Sequence, residues 1–184
     1  MLYLSGTGAS RKVAEDMAES LGWECLDIVE LSRGGAPLEF GTAVVVFPVY
    51  SQGAPSFLKP IFKQLTAEYA AIIATYGRMG AGNAVYEAAQ LLNAEVCAAA
   101  YIPARHSYIE NDDFAAPDIP GDIISAILHP HVITIPKRRK TPFAGLLPNL
   151  RGRFTVKIKR GKNCNSCGHM RGCLSGGSYK KRKD

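Results

Sequence analysis

Apolar positions along this chain fall into two kinds of run, and the two kinds alternate. Between Arg11 and Gly22, the residues Val13, Ala14, Met17, Ala18 and Leu21 recur at three- and four-residue intervals, with Arg11, Lys12, Glu15, Asp16 and Glu19 between them. That spacing lays one helix face on a core, and Gly22 supplies the stop. By contrast, Ala43-Val44-Val45-Val46-Phe47 is unbroken and rich in β-branched residues, as a strand covered on both faces must be. Met1–Leu4, Trp23–Val29, Ala70–Thr75 and Ala94–Tyr101 read as four further strands. Helices are expected from about Pro55 to Leu65, with Phe57, Leu58, Ile61, Phe62 and Leu65 on the apolar face, from Ala84 to Leu92 with Asn83 as cap, and from Pro117 to Leu128. Arg33–Pro37 reads as a loop, and Val132–Ile135 is a short apolar piece with no assigned element.

Strands alternating with helices at this pitch predict an α/β fold, a doubly wound five-stranded parallel sheet with helices on both faces. Ligands of such sheets bind beyond the carboxyl ends of the strands, where the strand order reverses. Chemistry is therefore expected in Ser5–Ser10, Pro48–Gly53, Tyr76–Gly82 and Ile102–Ile109.

The first of these segments, Ser5-Gly6-Thr7-Gly8-Ala9-Ser10, joins a strand to a helix start. Hydroxyls, close backbone approach at the glycines and the positive end of the helix dipole together suit a phosphate. A P-loop needs four residues between its glycines and a closing Lys-Ser or Lys-Thr, and neither is present. The dinucleotide fingerprint needs a third glycine, which is missing. What remains resembles the phosphate loop of the flavodoxins, which wraps the single phosphate of FMN, with Ala9 where that family has asparagine.

The resemblance extends to two more loops. Phe47-Pro48-Val49-Tyr50-Ser51-Gln52-Gly53-Ala54-Pro55 and Thr75-Tyr76-Gly77-Arg78 look like the flavin loops of flavodoxins in which a ferredoxin-type domain follows the flavin domain, so the match covers roughly residues 1 to 110. It implies FMN as cofactor, held by Ser5 to Ser10, by Pro48, Val49, Tyr50, Ser51, Gln52 and Gly53, and by Thr75, Tyr76, Gly77 and Arg78. Gln52-Gly53 is where redox-linked backbone changes near the ring are expected, and Arg78 would place a cation beside it. His106 follows the fifth strand, and His129 and His131 flank Pro130. None of them joins a catalytic set.

Charge divides the chain. Residues 1 to 136 carry 7 Lys/Arg against 15 Asp/Glu, whereas residues 137 to 184 carry 15 Lys/Arg against one Asp. A flavodoxin-like domain over 1–136 followed by a basic, largely irregular tail over 137–184 is the expected organisation. The tail holds Cys164, Cys167 and Cys173. In the related fusions a bacterial iron-sulfur motif stands there, and Cys164 and Cys167 match its first two positions. Met170 and Leu174 occupy the third and fourth, so a degenerate remnant is expected in place of a cluster; the three cysteines with His169 form an awkward zinc set.

No apolar run reaches 18 residues and no charged leader precedes an apolar stretch, so the reading is of a cytoplasmic chain without a membrane span. The function expected is electron transfer between a reductase and an acceptor protein. An NAD(P)H-dependent reductase of flavin or quinone is the alternative. A further alternative is a non-redox protein binding nucleic acid through its basic tail, where the basic residues from Arg151 to Lys183 are interleaved with only Phe154 and Tyr179 as aromatics.

Overall fold

The computed structural model describes residues 1–77, 80–104 and 119–138. Arg78, the segment around His106, and the tail cysteines Cys164, Cys167 and Cys173 lie outside the described residues. In chain order the elements are β1 (Leu2–Tyr3), α1 (Ala9–Leu21), β2 (Leu26–Asp27), α2 (Ile28–Arg33), β3 (Leu38–Pro48), a 3-10 turn (Ser56–Leu58), α3 (Lys59–Gln64), β4 (Leu65–Tyr76), α4 (Ala84–Ala89), β5 (Asn93–Pro103) and α5 (Gly121–Leu128). The strands form one parallel sheet in the order β2-β1-β3-β4-β5. This is the flavodoxin-like doubly wound order, whose switch point lies between β1 and β3.

Alternation along the central strands explains why Ala43–Phe47 of β3 and Ala70–Ala74 of β4 are apolar throughout. Val44 and Val46 of β3, with Ala71 and Ile73 of β4, face α1 and α5 and pack with Val13, Met17, Ile123 and Ile127. Val45 and Phe47, with Ile72 and Ala74, face the opposite way and pack with Ile28, Phe62, Val85 and Ala88. Successive side chains leave opposite sides of a strand, so a strand roofed twice has no polar position. Each Val, Ile, Met or Phe among them contributes about 1.5–3 kcal/mol on burial.

Several boundaries differ from the sequence expectation, each for a local reason. Trp23–Val29 is a strand only at Leu26–Asp27, because the Asp27 carboxylate accepts the amides of Val29 and Glu30 at 2.8 and 3.2 Å and starts α2. Leu65 is the first residue of β4, with extended backbone, and not the last of a helix. From there Leu65-Thr66-Ala67-Glu68 alternates buried and exposed and pairs with Leu38–Phe40 of β3, extending both strands towards their amino ends. α5 begins at Gly121 and not at Pro117, since Pro120 biases Ile119 away from helical backbone. The apolar piece Val132–Ile135 runs extended along the edge of β5: the Ile133 amide donates to the Val96 carbonyl at 2.8 Å, and Ile133 and Ile135 pack on the core.

Candidate functional site

The carboxyl ends of β1, β3 and β4 bring three of the four expected loops together. Helix α1 starts from Gly8, whose φ of 91° is left-handed and whose amide donates to Ser5 Oγ at 3.0 Å. No side chain caps the first turn of α1 and no acidic residue lies in it. Its amides therefore face outward as an uncapped donor set at the positive end of a 13-residue helix. A β-carbon on Gly8 would meet nothing within 4 Å, so the space above the loop is open. Nearby cations are committed elsewhere: Arg11 donates to Glu15 at 2.7 Å and Lys12 pairs with Asp16. The loop thus offers an anion neutral donors and a dipole. Ser5 and Thr7 retain hydroxyls at the loop surface, whereas Ser10 is buried and its hydroxyl is hydrogen-bonded to that of Thr75 at 2.7 Å. Ser10 and Thr75 therefore join α1 to the end of β4 in this structure and do not present their hydroxyls outward.

Beyond β3 the chain makes a tight reversal. Tyr50 and Gly53 exchange backbone hydrogen bonds at 3.0 Å in both directions, and Ser51 and Gln52 between them have φ of 49° and 62°. Two consecutive left-handed residues define a type I′ turn, normally built from asparagine and glycine. Here serine and glutamine hold the two positions, at a strain of about 1–2 kcal/mol each. Neighbours hold the turn. The Gln52 carbonyl accepts the Asn83 amide at 3.0 Å, Gly82 lies against the Gln52 backbone, and Glu87 Oε2 accepts the Ala54 amide at 3.2 Å. Tyr50, half exposed, brings its hydroxyl to the phosphate loop, 3.5 Å from where a β-carbon on Gly6 would stand.

Comparison with protein-family models, curated proteins and solved structures gives no match.

On the β4 side, Tyr76 meets the ring of Tyr101 edge-on, centroids 6.3 Å apart, and Gly77 follows at the strand end. Tyr101 is a residue that sequence reasoning did not single out. Its hydroxyl accepts the Val85 amide and donates to the Gly82 carbonyl, both at 3.1 Å, so it caps α4. Asn83 was expected in that role; its position is right, but its side chain turns away to residue 138. The signal available in the sequence was a lone tyrosine closing the alanine-rich run Ala98-Ala99-Ala100. Pro48 and Val49 carry β3 out of the sheet, with the Val49 amide on the Thr75 carbonyl at 2.8 Å.

A recess of about 530 Å³ opens at the opposite end of the sheet between Glu39, Phe40, Gly41, Thr66, Ala67 and Glu68. It lies at the amino ends of β3 and β4, away from the switch point. Among the described residues no three metal-ligating side chains converge, and no helix is long and apolar enough to cross a membrane.

Proposed function

We propose that this chain is an FMN-binding, flavodoxin-like electron-transfer protein. One observation carries the reading: at the switch point of the sheet, the uncapped start of α1 stands beside the strained turn at Ser51–Gln52, with the Tyr50 hydroxyl next to Gly6. Strained backbone persists where surrounding structure fixes it, and such places concentrate at ligand sites. In this reading the amides of the α1 start, with Ser5 and Thr7, hold the phosphate, and Tyr50, Gln52, Gly53, Tyr76 and Gly77 border the ring. FMN, when bound, supplies one-electron chemistry. The chain's part is to hold it, to exclude water from one side and to present backbone amides and carbonyls at the turn. Electrons would pass between a reductase and an acceptor protein, without a catalytic acid or base of its own.

Titration of FMN with the purified full chain tests this. Quenching of flavin fluorescence with one-to-one stoichiometry, and no oxidation of NADH or NADPH until a separate reductase is added, is the expected outcome. Oxidation of either nicotinamide by the flavin-loaded chain alone would move the assignment to a reductase, and absence of quenching would remove the flavin altogether.

A further inference from the structure

Residues 129 to 138 leave α5, pass the edge strand β5 at Val96 and end at Asn83, beside the turn. Two attachments hold this strap: Ile133 on Val96, and residue 138 on Asn83. The second is unusual. Asn83 Nδ2 donates to the Arg138 carbonyl at 2.8 Å, and Asn83 Oδ1 accepts the Arg138 amide at 2.7 Å, so a side-chain amide pairs with a peptide group as a neighbouring strand would. Asn83 is 1% exposed and sits 55 positions from its partner. Its own backbone amide is the donor that holds the Gln52 carbonyl. One buried residue thereby connects the strap to the left-handed turn. The Arg138 guanidinium lies 4.7 Å over the Tyr101 ring, and Lys137 Nζ lies 5.9 Å over Tyr86, which fixes the strap's end from its side-chain side as well.

A left-handed Ser51-Gln52 pair is unfavourable in isolation, so whatever fixes it decides how fully it is populated. We propose that Asn83 is the positioning residue of this turn, and that the strap sets the turn's geometry through Asn83. The ligand site then includes a segment that lies outside the sheet and its crossovers. The geometry stands on the hydrogen bonds alone; the effect on ligand affinity rests on the flavin reading above.

Arg138→Pro removes the amide that Asn83 accepts and leaves Asn83 intact, whereas Arg138→Ala keeps both backbone bonds and removes only the guanidinium. Two measurements on the full chain separate them. In unliganded protein, hydrogen exchange at the Gly53 and Asn83 amides is expected to accelerate about fivefold or more in Arg138→Pro, and to stay within about twofold of the parent in Arg138→Ala. The Kd for FMN is expected to rise about tenfold in Arg138→Pro alone, while the inhibition constant of inorganic phosphate, which reads the loop Ser5–Ser10 and not the Ser51–Gln52 backbone, is unchanged. A general loss of structure would weaken both ligands. Asn83→Ser, too short to span to Arg138, repeats the test from the other partner and should match Arg138→Pro. Unchanged exchange in Arg138→Pro, or an Arg138→Ala protein as impaired as it, would overturn the proposal. If the parent does not quench FMN, the flavin reading falls and the exchange data still decide the role of Asn83.

Discussion

Gly82→Ala is the substitution on which the architecture of the turn can be tried most directly. Gly82 has φ of 56°, and a β-carbon there would stand 2.0 Å from the Gln52 carbonyl oxygen, 2.4 Å from its β-carbon and 2.6 Å from its carbonyl carbon. Backbone atoms cannot rotate aside, so the turn must retreat by about 1 Å or more, giving up the bond from the Asn83 amide to Gln52. The left-handed conformation itself costs a residue with a β-carbon about 1–2 kcal/mol, and the lost hydrogen bond adds about 0.5–1.5 kcal/mol. A total destabilisation of about 1.5–3.5 kcal/mol follows. Gly22 provides the control: it caps α1 with φ of 66°, and a β-carbon there would meet nothing within 4 Å. Gly22→Ala should therefore cost only the conformational part, about 1–2 kcal/mol. Urea unfolding, with the slope unchanged between variants, reads both. Equal losses in the two proteins would mean that the Gly82–Gln52 contact does not constrain the turn, and the strained geometry would lose its support.

The same turn makes a converse prediction: Gln52→Gly should stabilise the protein by about 0.5–1 kcal/mol in thermal or urea unfolding, since left-handed backbone is free of penalty there. The buried hydroxyl pair should show coupling, with Ser10→Ala and Thr75→Val each costing about 1–2 kcal/mol by stranding the other partner and the double variant costing less than the sum in a double-mutant cycle. Burial raises the thiols of Cys25 and Cys97 above their ordinary value of 9.0. Their contribution is thus whole below pH 9.0, where both states hold the proton, and is lost as pH rises from there through the raised folded values, because the unfolded chain ionises first. Cys97→Ala should flatten the alkaline fall in unfolding free energy measured as pH is raised above 9.0, and an identical fall in the variant would refute that assignment.

The fold was legible wherever burial on both faces made the sequence monotonous, as at Ala43–Phe47 and Ala70–Thr75. The amino halves of β3 and β4 were harder to see because they are covered differently. Leu38-Glu39-Phe40-Gly41-Thr42 alternates, carries a glycine, and β1 pairs only with Val45 and Val46 of β3. Its partner Leu65-Thr66-Ala67-Glu68 follows a helix without a turn, so Leu65 fits the apolar stripe of α3 and the first inward position of β4 alike. Helix α2 was hidden for another reason: six residues are too few for a period to show, although Asp27 with Glu30 three places on was a usable start signal.

The site divides along the same line between local and distant information. Strand ends followed by glycine and hydroxyl residues are local signatures, and they put Ser5–Ser10, Tyr50–Gly53 and Tyr76–Gly77 at one end of the sheet. What each side chain does there depends on partners far along the chain, which pattern cannot supply. Ser10 reads as a phosphate ligand until Thr75 is found across from it, and Asn83 reads as a helix cap until Arg138 arrives to occupy both ends of its amide. With Asn83 so engaged, α4 would begin with an unmet amide at Val85, and Tyr101 meets it from β5. The exchange is coherent: a capping residue can be released to hold the strap only because an aromatic hydroxyl takes over the cap. That same hydroxyl also accepts responsibility for the Gly82 carbonyl, immediately before the residue that holds Gln52. Tyr101→Phe should therefore loosen α4 and the turn together, so that amide exchange at Val85 and at Asn83 accelerates in parallel; acceleration at Val85 alone would show that the cap and the clamp are independent.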